Sequence, residues 1–199
     1  MRARGTASRR FVAHGHVAVV SIAAMLMFLP RPHLDGQQSA PAVQMVGDTG
    51  EGAKYWARWR GPSGQGVVSG TGYPDAWSGA ENVKWKVPVP GSGNSSPIVW
   101  GDRIFVTTAY DSGRWLSVVA YRRTDGMKIW ETFAPEGRTS YGHYKNGHAS
   151  ATPATDGQRV YVSFGTRGLL ALDMNGKQVW YRDLGAMDAY HGTAGSPLL

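Results

Sequence analysis

The 199-residue sequence predicts an all-β fold assembled from four-stranded antiparallel units. Three observations point there. No segment after residue 54 sustains a 3.6-residue apolar period. Short runs rich in β-branched and aromatic residues alternate with Gly, Asn, Asp and Pro turn signals. One phrase also occurs twice: DGMKIW at 125–130 returns as NGKQVW at 175–180.

The runs fall into two sets of four. SPIVW stops at Gly101-Asp102, RIFVTTAY at Asp111-Ser112-Gly113, WLSVVAYR at Thr124-Asp125-Gly126 and KIWETFA at Pro135. Then SATPAT stops at Asp156-Gly157, RVYVSFG at Thr166-Arg167-Gly168 and LLALDM at Asn175-Gly176, and KQVWYRDL follows. Pro97, Gly101, Ile104 and Val106 recur 56 positions later as Pro153, Gly157, Val160 and Val162, and Trp130 recurs 50 positions later as Trp180. Upstream, VKWKV places Trp85 45 residues before Trp130; downstream, GSPLL places Pro197 44 residues after Pro153.

A four-strand unit of about this period is a propeller blade. One blade cannot bury both faces of its sheet, whereas stacked neighbours can. The repeated tryptophan suits that purpose, since a large flat ring buries ~150–250 Å². Asp125-Gly126 and Asn175-Gly176 suit hairpins that need positive backbone angles. The expected architecture is therefore a β-propeller of four-stranded antiparallel blades. Residues 56–199 hold about three of them. Closed propellers typically have ~4–8, and the expectation is a propeller truncated at its carboxyl end.

The amino terminus reads as an export signal. MRARGTASRR is basic and VAVVSIAAMLMFL, residues 17–29, is apolar. Thirteen helical residues reach only ~20 Å, short of a ~30 Å hydrocarbon core. Ala40-Pro41-Ala42 fits a cleavage site, and SRRF at 8–11 partly resembles a twin-arginine signal with altered spacing. The expected organisation is a signal peptide or anchor over 1–42, a polar linker over 43–54, and a partial propeller over 55–199. Localisation in the periplasm or cell envelope follows.

The net charge of +7 falls to +3 once residues 1–42 are set aside, because five arginines there face one aspartate. That is a mildly basic surface without a nucleic-acid footprint. The sequence has no cysteine, which removes disulfides and thiolate metal sites. Gly91 and Gly93 follow a proline turn and open no helix, so no phosphate loop is read there. No nucleophile elbow supports a hydrolase.

Ala120, Gly126 and Trp130 fit a blade signature, Ala-x-Asp-x-x-Thr-Gly-x-x-x-Trp, with Arg122 and Asp125 in place of its Asp and Thr. Ala171, Asp173, Gly176 and Trp180 fit it in a copy one residue shorter. On these residues, the chain from about 55 to 199 resembles the pyrroloquinoline-quinone-type repeat family. That family includes quinoprotein alcohol dehydrogenases and the propeller subunit of the outer-membrane β-barrel assembly machine. The resemblance implies that the signature residues dock blades. For the dehydrogenases it also implies a quinone, a calcium ion, a catalytic Asp and often a vicinal disulfide, none of which maps onto a position here.

Three segments return from one unit to the next and lie on one face by repeat symmetry: 91–96, 135–150 and 185–195. Loops on a rigid scaffold commonly carry sites. The candidates are Arg138, Tyr141, His143, Tyr144, Lys145, Asn146 and His148 in the second, and Asp188, Tyr190 and His191 in the third. Three histidines suggest a metal site, but their spacing is not diagnostic and none is assigned. The leading expectation is a non-catalytic exported propeller that binds a protein, peptide or glycan on this face, without cofactor. One alternative is a dehydrogenase using pyrroloquinoline quinone and calcium, its active-site residues mostly elsewhere in a longer chain. The other is an outer-membrane assembly factor with an envelope or membrane-protein partner.

Overall fold

The computed structural model describes Gly47 and residues 49–199. The expected signal peptide over 1–42, and most of the linker up to residue 48, lie outside them. Among the described residues, eight strands form two four-stranded antiparallel sheets. The first holds β1 (Ile98–Trp100), β2 (Arg103–Tyr110), β3 (Trp115–Arg122) and β4 (Lys128–Phe133). The second holds β5 (Ala154–Thr155), β6 (Arg159–Ser163), β7 (Leu169–Asp173) and β8 (Gln178–Arg182). In each sheet the strands lie side by side in chain order, as in a propeller blade. Residues 83–90 and 196–199 carry no strand. The two complete blades therefore occupy 98–182, and the flanking segments contribute single residues to the repeat.

The registers superimpose. Ile98 faces Phe105 and Ala154 faces Tyr161. Ala120 faces Trp130 and Ala171 faces Trp180. The spacing shrinks from 56 at the inner strands to 50 at the tryptophans because the β2–β3 hairpin of the first blade is longer. Phe105 faces Ala120 there, whereas Tyr161 already faces Ala171 in the second.

Period-two alternation decides which face each residue serves. Val160, Val162, Leu170 and Leu172 of the second sheet meet Ile98, Phe105, Val118 and Ala120 of the first in one buried cluster. Tyr161, Ala171 and Ala154 point to the opposite face of the second sheet, where Ala57, Leu199 and Trp180 join them. Each blade thus shows its tryptophan face in one rotational sense and its aliphatic face in the other. The packing is therefore heterologous, one kind of face against the other.

The tryptophans lock onto the hairpin of the next blade. Trp130 Nε1 donates to the Met174 carbonyl at 3.0 Å, and Thr132 Oγ1 donates to the Gly176 carbonyl at 2.6 Å. A Cβ on Gly176 would lie 2.6 Å from the indole of Trp130. Trp85 repeats the arrangement one unit earlier. Its Nε1 donates to the Arg123 carbonyl at 2.9 Å, and its ring covers Gly126 at the same 2.6 Å. Trp180 packs on Tyr161 with ring centroids 6.1 Å apart, as Trp130 packs on Phe105 at 5.8 Å.

The two departures from the signature compensate each other. In the second copy Asp173 Oδ1 accepts from the amides of Asn175 and Lys177, at 2.8 and 2.9 Å. In the first copy Asp125 Oδ1 accepts from the Met127 amide at 2.9 Å, while its other oxygen holds Arg122 at 2.9 Å. The carboxylate moves along the turn and still accepts from one turn amide.

A second relay runs along the inner edge. The Ser96 amide donates to Thr152 Oγ1 at 3.0 Å, and the Thr152 amide donates to Ser196 Oγ at 2.9 Å. Each of these residues precedes a proline, which biases it toward extended backbone. Nearby, residues 56–57 cross both blades: the Trp56 carbonyl accepts from Val99 and the Ala57 carbonyl from Thr155, at 2.8 and 2.9 Å. Arg58 closes this crossing by donating to the carbonyls of Leu199 and Pro62. Trp59 is exposed, with Arg60 stacked on it.

Candidate functional site

The three return segments converge by direct bonds. Asn94 Nδ2 donates to the Lys145 carbonyl at 3.2 Å, and the amides of Asn94 and Ser95 reach the Ala149 carbonyl. Asn146 Nδ2 donates to the His191 carbonyl at 2.9 Å. Segments 91–96 and 185–195 are thus both tied to 135–150.

On this platform four rings form a chain. His143 lies 4.4 Å from Tyr144 and 4.8 Å, edge-on, from His191, and His191 lies 4.8 Å from Tyr190. Lys145 Nζ sits 5.5 Å above Tyr144. Tyr144 and Tyr190 are 83% and 84% exposed, an unusual cost for large aromatic surface. Tyr141 is exposed too, and Arg138 and Asp188 face solvent without an ion pair among the described residues.

His148 does not join this chain. Its ring packs directly on Gly113 and Gly142. Burial holds its pKa below the usual imidazole value, and the positive charge of Arg167 adds to the effect. Among the described residues no group of three His, Asp or Glu converges to hold a metal. His143 Nδ1 accepts from the Lys145 amide at 3.2 Å.

The residue that organises the platform was missed at the sequence level. Arg167 is only 3% exposed. Its guanidinium donates to the carbonyls of Arg138, Pro135 and Arg114 at 2.9, 3.2 and 3.2 Å, and to Thr139 Oγ1 at 2.9 Å. A buried cation must spend its donors on acceptors, and here they are almost all backbone. The turn of the second blade thereby pins the return segment of the first. Thr166-Arg167-Gly168 reads as an ordinary turn; the only signal was an arginine between two apolar strands.

A family model described as outer membrane protein assembly factor BamB matches residues 48–197. The chain belongs to the BamB family. No curated protein matches it. Among solved structures, BamB from Moraxella catarrhalis is 22% identical, and the match covers 55% of this chain and 30% of that one with a TM-score of 0.40. The chain thus spans under a third of that BamB structure. The BamB family match agrees with the paired four-stranded sheets described above.

Proposed function

We propose that the chain acts in the cell envelope as a non-catalytic docking module for the assembly of outer membrane proteins. The loop face is its recognition surface. The observation that carries this reading is the exposed ring chain Tyr144–His143–His191–Tyr190, held on two packed blades by Asn146 and Arg167. Aromatic side chains on a rigid base are the usual anchors of protein interfaces. A protein partner suits them better than a small anion, since among the described residues Lys145 is the only cation stacked on the rings. The BamB family match supports the assembly context, and the basic, then apolar, amino-terminal sequence supports export.

In this reading the chain works without quinone or calcium. Glu136 and Asp188 are the only carboxylates in the three return segments, whereas calcium takes ~6–8 oxygen ligands. The test is complementation in a host lacking the gene, with outer membrane β-barrel proteins quantified in purified envelopes. The wild-type chain restores their level. The Tyr144→Ser/Tyr190→Ser variant accumulates equally and fails to restore it. Full restoration by the variant refutes the loop face as the working surface, and an unchanged level in the gene-deleted host refutes the assembly role.

A further inference from the structure

A cavity lies at the opposite end of the first blade from the loop face. Antiparallel topology puts the β1–β2 and β3–β4 turns there, and the Arg123 amide donates to the Asp102 carbonyl to join them. Residues 53–73 fold over this end and border an open cleft of about 450 Å³. Ligand sites run to ~300–1,000 Å³, so the space suits a small molecule.

The lining combines two chemistries. Tyr55, Trp56 and Tyr73 supply aromatic faces, and Val99 an apolar floor. Lys54 and Arg123 supply positive charge, and among the described residues no Asp or Glu lines the space. Lys54 is already held by Glu51 at 2.7 Å. Arg123 makes no ion pair among the described residues. The walls are braced before any ligand arrives. Tyr55 packs on Trp100 at 5.1 Å, the Trp56 carbonyl accepts from Val99 at 2.8 Å, and the Arg123 carbonyl accepts from Trp85 at 2.9 Å.

We propose that this cavity binds a small molecule bearing one anionic group on a planar aromatic body. The rings take the body and the Arg123 guanidinium takes the anion, a charge-assisted contact that a neutral isostere lacks. The site is separate from the loop face and does not depend on the role proposed for it.

The experiment is calorimetric titration of the full chain with 2-naphthoate and with the neutral 2-naphthamide. The wild-type chain binds one naphthoate saturably, at least tenfold tighter than the amide. Arg123→Gln brings the two within twofold, Arg123→Lys keeps the preference, and Tyr73→Ala weakens both at least fivefold. Tyr144→Ser/Tyr190→Ser binds as the wild type does. Absence of saturable binding, equal affinity for acid and amide on the wild-type chain, or an undiminished preference in Arg123→Gln overturns the proposal.

Discussion

The backbone N–H of Ser96 donates to the hydroxyl of Thr152 across the gap between the two blades, at 3.0 Å. Thr152 is 2% exposed, so water cannot replace its hydroxyl freely. Thr152→Val keeps the shape and removes the acceptor. The expected loss is about 1–3 kcal/mol, the usual cost of an unsatisfied buried amide. Thr152→Ser keeps the oxygen and loses less. Urea unfolding of both variants checks the order; a Val variant as stable as the Ser variant contradicts it.

Arg167 carries a sharper expectation. Its fork meets four carbonyls and a hydroxyl in different directions. Arg167→Lys keeps the charge but offers one compact ammonium, so it leaves acceptors unpaired in a buried place. Both Arg167→Lys and Arg167→Met destabilise the chain by roughly 2–4 kcal/mol. Hydrogen exchange shows the loss first in residues 135–150. Rescue by lysine to wild-type stability argues that charge, not the fork, is what matters.

The pH response follows from His148. Its folded pKa lies below the unfolded value because burial and Arg167 disfavour the imidazolium. Below about pH 6.5 the unfolded chain takes up that proton before the folded chain does. The stability present at neutral pH is therefore lost as pH falls through and below that range. Melting temperatures at pH 7.5 and 5.0 are compared in the wild-type chain and in His148→Gln. The variant loses less on acidification. An equal or larger loss in the variant contradicts the assignment.

Sequence reasoning located the eight strands because each is a short apolar run closed by turn residues, and that information is local. Trp130 and Trp180 are readable in the same way, since each stands a fixed distance beyond a hairpin glycine. The return segments are another matter. His143 and His191 meet, while His148 turns inward against Gly113. Asn146, Arg167 and the Ala149 carbonyl decide this, through bonds to residues tens of positions away. The crossing of residues 56–57 over both inner strands was equally hidden. Its bonds are backbone bonds and leave no residue-type signature. Trp56 takes part in the crossing through its carbonyl, while Trp59 stays exposed.

The account rests on Trp130 docking over Gly176 of the following blade, and a double-mutant cycle between them tests it most directly. Gly176 has φ of +85°, so alanine there carries a backbone cost of about 1–2 kcal/mol even in open space. In the wild-type background the new methyl also meets the indole, and overpacking adds about 1–3 kcal/mol. In Trp130→Ala, itself weaker by about 3–5 kcal/mol, the indole is gone and only the backbone cost remains. The account predicts that Gly176→Ala destabilises the wild-type chain more than it destabilises Trp130→Ala, with a coupling of at least about 1 kcal/mol. Additive losses in the two backgrounds would show that the indole does not sit over the glycine and would contradict the blade-to-blade docking.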